Sequence, residues 1–237
     1  MTKLILTRHG QSVWNAENRF TGWVDVDLSE KGILEAEKSG QIIKDLNIKI
    51  DISYTSYLKR AIKTLTTILQ KNNLELKFNT AWQLNERHYG ALTGLNKDEM
   101  KIKLGEEKVH QFRRSWDLRP DPLDKNNPYH PTNIETYKEI PINKIPDTES
   151  LKDTYERVLE FYKQEIENKI SNNNILISAH GNSIRALCKY LFKLDENQIS
   201  KLEIPTGNPL LITLDGNKKI TDCKYLDDER AKDLVVF

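Results

Sequence analysis

The sequence predicts an α/β protein with three layers, α/β/α, built on a mainly parallel sheet. Three observations carry this expectation. Short apolar or β-branched runs recur at Lys3–Thr7, Asp51–Tyr54, Leu74–Phe78, Asn174–Ala179 and Pro209–Leu214. Segments with helical periodicity separate most of them, which is the alternation a parallel sheet needs. Two of the runs end in the same pair, His9-Gly10 and His180-Gly181, each followed by short polar residues, Gln11-Ser12 and Asn182-Ser183.

The first run, Leu4-Ile5-Leu6-Thr7, reads as a short buried strand, and Gly10 supplies backbone freedom for a sharp exit toward a helix. Ser29 is placed to cap a helix whose apolar positions are Ile33, Ala36, Ile42, Ile43 and Leu46. Ser56 is placed to cap the next, with Leu58, Ala61, Ile62, Leu65, Ile68 and Leu69 as its buried stripe and Arg60 one turn after the cap. Thr148 to Ile170 reads as a third long helix, its apolar face carrying Leu151, Tyr155, Val158, Leu159, Tyr162 and Ile166. Between Asn96 and Asp147 the pattern weakens: two short helical stretches precede the proline-rich Arg119–Pro128. Residues 96–147 therefore read as an excursion and not as a domain, and long irregular segments in compact domains are usually functional lids or disordered linkers. The expected organisation is one domain over 1–237, ending in a tail at 226–237. That tail is acidic before an apolar end, and it either docks on the body or stays disordered.

A chain of 237 residues suffices for one α/β domain with a full core. With 36 Lys+Arg against 35 Asp+Glu the net charge is +1, so no global field favours nucleic acid or an anionic membrane. No apolar run reaches membrane-spanning length, and Met1-Thr2-Lys3 leads straight into a strand with no signal-peptide core. A cytoplasmic protein is expected. Cys188 and Cys223 stand far apart without metal-ligand spacing, so neither a disulfide nor zinc is indicated, and Cys188 is expected to pack a helix face.

Ligands of open α/β sheets bind beyond the carboxyl ends of the strands, where helix N-termini favour anions. Parallel neighbouring strands would bring His9 and His180 to one edge, one on each side of a phosphoryl group. Arg8 adds a fixed charge whose planar fork suits phosphate oxygens. One Arg-His-Gly alone could be a solvated turn; the second His-Gly pair with matching polar followers makes that reading weak.

From Lys3 to about Leu214 the chain resembles the histidine phosphatase superfamily and, within it, the cofactor-dependent phosphoglycerate mutases. The resemblance rests on LTRHGQSVWN, NRFTGW, LSEKG, YTSYLKRAIKT, LNERHYGALTGLNK, FRRSWDLRP, IPDTESLKDTYERV, ISAHGNSIRAL and IPTGNPLLI, in that order. It implies the phosphoglycerate mutase-like fold and interconversion of 3-phosphoglycerate and 2-phosphoglycerate, primed by 2,3-bisphosphoglycerate and needing no metal. His9 is then the nucleophile, its tautomer fixed by a carbonyl such as that of Gly10. Arg8, Arg60 and His180 are expected to stabilise the transferring group, with Ser12, Asn15 and the backbone near Thr21-Gly22 and Gly181-Asn182 as further donors. Glu86 matches the family's acid/base carboxylate, and a site of this kind is expected to tune its pKa. Tyr89 is expected to bind substrate, and Lys97, Arg113 and Arg114 to hold the substrate's carboxylate and second phosphate. His88, His110 and His130 match no catalytic position, and Trp14 and Tyr54 read as packing residues. A homodimer is expected. The runner-up is a phosphatase for another small phosphoester, whose relatives often carry a second acid where Gly90–Gly94 stands here. A phosphoprotein-binding module without turnover is the third reading, opposed by retention of His9, Arg60, Glu86 and His180 together.

Overall fold

Six strands form one sheet in the computed structural model, which describes residues 1–231, and their order is β3-β2-β4-β1-β5-β6. They are β1 (Thr2–Arg8), β2 (Ile52–Thr55), β3 (Asn79–Thr80), β4 (Ile175–Ala179), β5 (Leu210–Leu214) and β6 (Ile220–Tyr225). The ladders from β3 through β1 are parallel, and β5 and β6 add antiparallel pairs at one side. Alternation along the central strands divides the core in two. Ile5, Leu176 and Leu211 face α2 (Glu30–Asp45) and α3 (Lys59–Lys71), meeting Ile43, Leu65 and Ile68. Leu4, Leu6, Ile175 and Ile177 face the opposite layer, where α6 (Leu151–Phe161) brings Leu151 and Val158 and α7 (Gly181–Phe192) brings Ile184 and Leu187. Both faces are thus covered, which is why these strands read as unbroken apolar runs. The remaining helices are α1 (Val13–Ala16), α4 (Lys97–Leu104), α5 (Glu106–Arg114) and α8 (Glu196–Lys201).

Several local expectations are corrected. Leu74–Phe78 is not a strand: Leu74 and Phe78 plug into the cluster under α2 and α3, and pairing with β2 begins only at Asn79. The hairpin strand β6 has no counterpart in the sequence reading. Ser29 does cap α2, but the buried face of that helix is Ala36, Ser39, Gly40 and Ile43, while Ile33 and Leu46 are exposed. Small residues win because α2 packs closely on α3: a Cβ on Gly40 would lie 2.8 Å from the Lys71 Cβ. The N-cap of α3 is Leu58, and Ser56 has another use described below. The third long helix starts at its Ser150 cap, widens to a π-helix at Tyr162–Ile166, and ends in turns. Gly10 is required not for an unusual dihedral but for space, since a Cβ there would meet the Gly32 carbonyl oxygen at 2.1 Å.

Residues 96–147 share two satellite cores with earlier parts of the chain. Phe20, Leu92, Met100, Val109 and Phe112 form one beneath α4 and α5; Trp23, Leu58, Tyr137 and Ile140 form another. Of the expected tail, Leu226 packs on the α2/α3 core, Lys38 pairs with Asp227 at 2.6 Å, and Arg230 reaches Glu35 at 3.2 Å. The tail therefore docks as far as Arg230, and residues 232–237 lie outside the described part.

Candidate active site

The parallel register of β1 and β4 puts Arg8 opposite Ala179, so both chains leave the sheet at the same level. The amide of His9 donates to the Ala179 carbonyl at 2.9 Å. The two imidazoles consequently meet edge to face, 4.9 Å between centroids, both buried. His9 Nδ1 lies 2.6 Å from the Gly10 carbonyl oxygen. A carbonyl only accepts, so Nδ1 carries the proton and Nε2 is left as a free nucleophile. His180 Nε2 lies 2.7 Å from the Ser56 Oγ, while its Nδ1 is buried without a partner.

Cations surround this pair. Arg60, in the first turn of α3, is 1 % exposed and points its guanidinium back toward β1 by donating to the Gly22 and Val24 carbonyls at 2.8 and 2.9 Å. Gly22 accepts this bond from a left-handed backbone, φ +57°, which glycine adopts without strain. Arg8 is fixed by the Ile204 carbonyl at 2.8 Å. Burial above all, then the Arg60 and Arg8 charges, holds the His9 pKa well below the ordinary histidine value, against the Gly10 contact. Burial, Arg60 and His9 do the same to His180. Both rings are therefore neutral near pH 7. Burial also lowers Arg60 to about 10, which leaves it charged.

Glu86 approaches from the loop after β3. Its Oε1 accepts from the Arg87 amide at 2.8 Å and the Asn182 amide at 3.2 Å, so it bridges to the start of α7. The loop is braced from behind by Arg157 of α6, which donates to the carbonyls of Gln83, Asn85 and Glu86 at 2.6, 3.0 and 3.0 Å. Asn182 in turn donates to the Tyr89 hydroxyl at 3.1 Å.

Two adjoining cavities open here. One, of about 80 Å³, is lined by Arg8, His9, Asn15, Thr21, Gly22, Arg60, Glu86, Tyr89, Lys97 and Arg113. Its neighbour, of about 110 Å³, is lined by Arg8, Glu86, Tyr89, Arg113, Arg114, Gly181 and Asn182 together with Arg185, Glu203 and Ile204. The structure thus brings together every residue singled out in the sequence except Ser12, whose Oγ caps α1 by accepting from the Asn15 amide at 3.1 Å. His180 borders His9 without lining either cavity. Lys97 from α4 and the arginine pair at the end of α5 come from the excursion and form the lid-side wall; burial, then Arg113 and Arg8, lowers the Lys97 pKa. The sequence reading missed Arg19 and Phe20, which line the first cavity, and Arg185 and Glu203, which line the second. NRFTGW carries a signal for the first two and ISAHGNSIRAL one for Arg185; nothing local distinguishes Glu203 from a solvated residue.

The donors have unmet capacity. Arg8 Nε, Thr21 Oγ1, Arg60 Nε and His180 Nδ1 are buried without partners, a cost tolerated where an anion is to be received. A ligand bearing two phosphates fits this donor set. Among the described residues no group of three or more His, Cys, Asp or Glu could hold a metal, and no helix is long and apolar enough to cross a membrane.

Comparison with known proteins agrees with this geometry. Residues 4–129 and 126–225 match the histidine phosphatase superfamily (branch 1). The chain is 66 % identical over 238 residues to the 2,3-bisphosphoglycerate-dependent phosphoglycerate mutase of Pelagibacter ubique (strain HTCC1062), covering 100 % of both chains. It is 48 % identical over 233 residues to the enzyme of the same name from Hydrogenobaculum sp. (strain Y04AAS1), covering 98 % of this chain and 94 % of that one. Among solved structures, a mycobacterial glucosyl-3-phosphoglycerate phosphatase superposes with a TM-score of 0.69 at 18 % identity, covering 95 % of this chain and 97 % of that one. Bacillus stearothermophilus YhfR superposes with a TM-score of 0.69 at 23 % identity, covering 93 % and 94 %. These two likenesses speak to the fold.

Proposed function

The chain belongs to the histidine phosphatase superfamily, branch 1, and to its 2,3-bisphosphoglycerate-dependent phosphoglycerate mutases, and we propose how its residues interconvert 3-phosphoglycerate and 2-phosphoglycerate. The observation that carries the reading is the His9 Nδ1 to Gly10 carbonyl bond, which aims an unprotonated Nε2 into a cavity walled by cations.

His9 Nε2 attacks phosphorus, forming a P–N bond as the P–O bond to the leaving oxygen breaks. Glu86 gives its proton to that oxygen. In the return step Glu86 takes the proton from the attacking hydroxyl as the P–N bond breaks and His9 is released neutral. Arg8 and Arg60 hold the equatorial oxygens, where charge spreads during transfer, and the fixed cations need no reorganisation. His180 adds a neutral donor: with the Ser56 hydroxyl donating to Nε2, the ring carries its proton on the unpartnered Nδ1. Asn15, Thr21, Gly22, Gly181 and Asn182 complete the donor set, Ser12 fixes the turn that presents Asn15, and Tyr89, Lys97, Arg113 and Arg114 bind the end of the substrate that does not react. Bound 2,3-bisphosphoglycerate supplies the phosphoryl group that first loads His9. No metal enters these steps.

The assembly proposed is a cytoplasmic homodimer, checked by light scattering over a range of concentrations; a monomer throughout would refute it. The mechanism is tested by following 3-phosphoglycerate conversion with and without 2,3-bisphosphoglycerate, with His9→Ala as control. Conversion that depends on the bisphosphate and is lost in the variant supports it. Release of inorganic phosphate without isomerisation would point to a phosphatase, and no turnover at all to a binding module.

A further inference from the structure

We infer that Glu203 sets the anion affinity of the second cavity by occupying Arg114 as an internal counter-anion that an incoming substrate must displace. The inference rests on the mutase reading above for the identity of the substrate.

Arg114 stands in the last turn of α5 and Glu203 in the segment between α8 and β5, and their side chains form an ion pair across the cavity mouth. The backbone on the Glu203 side is immobilised. Its carbonyl accepts the Tyr225 hydroxyl at 3.0 Å, the next carbonyl, of Ile204, accepts Arg8 at 2.8 Å, and the side chains of Leu202 and Ile204 are buried. The Glu203 side chain itself is 49 % exposed. A fixed base with a half-solvated carboxylate can swing out into water without disturbing the wall.

The cavity otherwise collects like charges. Arg8, Arg113, Arg114 and Arg185 line it, and Glu86 and Glu203 are its acids. Arg185 is buried and spends donors on the Asn182 side chain at 3.0 Å and the Ile199 carbonyl, leaving Nε unpartnered. Glu203 lowers the net charge of this chamber in the absence of ligand and so raises the threshold for any anion. A partly exposed pair is weakly held, so a ligand whose phosphate is anchored elsewhere can displace it with a second anionic group. A free inorganic anion has no such anchor and competes poorly.

The test is isothermal titration of the full chain and its Glu203→Gln variant with sulfate and, separately, with 3-phosphoglycerate, alongside steady-state turnover. Glu203→Gln should bind both sulfate and 3-phosphoglycerate about 5-fold tighter at 0.05 M salt, with the effect fading near 1 M salt, where the screening length falls to about 3 Å. Glu203→Asp, which keeps the charge, should stay within about 2-fold of wild type for both ligands. Unchanged or weaker binding of either ligand by Glu203→Gln would overturn the inference while leaving the mutase reading intact. Absence of isomerisation by the wild-type chain would overturn the mutase reading instead.

Discussion

Arg157 and Glu149 form a buried, doubly bonded ion pair, Nε to Oε1 at 2.6 Å and Nη2 to Oε2 at 2.9 Å. Neither faces the cavities. The arginine instead donates to three carbonyls of the Glu86 loop, and Glu149 Oε2 accepts the His88 amide at 2.8 Å. The pair braces from behind the loop that carries Glu86, the carboxylate proposed as acid/base. Arg157→Met should destabilise the fold by about 3–5 kcal/mol, because it leaves the Glu149 charge buried and unpaired. Urea unfolding checks the stability. In protein that remains folded, kcat should fall more than KM rises; a fall in stability with kcat unchanged would contradict the positioning role.

The hydrogen bond from His9 Nδ1 to Gly10 predicts which nitrogen is labelled. Incubation with bisphosphoglycerate should give an acid-labile adduct whose phosphorus resonance is that of Nε2-linked phosphohistidine. His9→Ala should take up none. An Nδ1 adduct would mean that the ring turns over during the reaction and that the Gly10 contact does not fix it.

Acid should destabilise the protein through histidines kept neutral in the folded state. Burial first, then His130, lowers His88 from 6.5 to about 3, and His88 Nδ1 accepts the Gly90 amide at 3.0 Å. Below pH 6.5 the unfolded chain takes up a proton that the folded chain refuses until about pH 3. Stability from this group is therefore full above 6.5 and declines between those limits, by up to roughly 1.4 kcal/mol per pH unit. Burial of His9 and His180 acts with the same sign. Unfolding free energies at pH 7, 6, 5 and 4 should show a shallower decline in His88→Asn, which keeps an acceptor for Gly90. An identical slope would rule out the contribution of His88.

Gly10→Ala should cost both stability and activity. The added methyl would fall 2.1 Å from the Gly32 carbonyl oxygen, and that atom belongs to backbone at the start of α2. Overpacking of this kind costs about 1–3 kcal/mol. Because Gly10 is also the partner of His9, the displacement should lower kcat even where the protein folds. A thermal melt and a turnover assay on one preparation measure both effects.

The sequence made the centre of the sheet and the two strand-end histidines legible because local composition decides them. A fully buried strand must be apolar on both faces, and a His-Gly pair at its end has few structural uses. Leu74–Phe78 alternates as a half-buried strand does, yet Leu74 and Phe78 pack on the α2/α3 cluster while Leu76 is exposed, a choice made by tertiary packing. The edge strand β6 went unseen because Asp222 and Lys224 on its open face resemble loop residues. Arg157, Arg185 and Glu203 illustrate the remaining limit. A single charged residue on a helix or loop is ordinarily solvated, and only the fold shows that these three converge on the Glu86 loop and the second cavity.

The position of β1 has a consequence for how the protein comes into being. Of the described strands β1 is made before the others, yet it lies between β4 and β5, which follow far along the chain, and His9 and His180 stand 171 positions apart. At ribosomal rates of about 5–20 residues per second, β1 waits roughly ten to thirty seconds for its neighbours. Until then its apolar faces lack the strands they pair beside. A product truncated before β4 would lack both the parallel partner of β1 and His180.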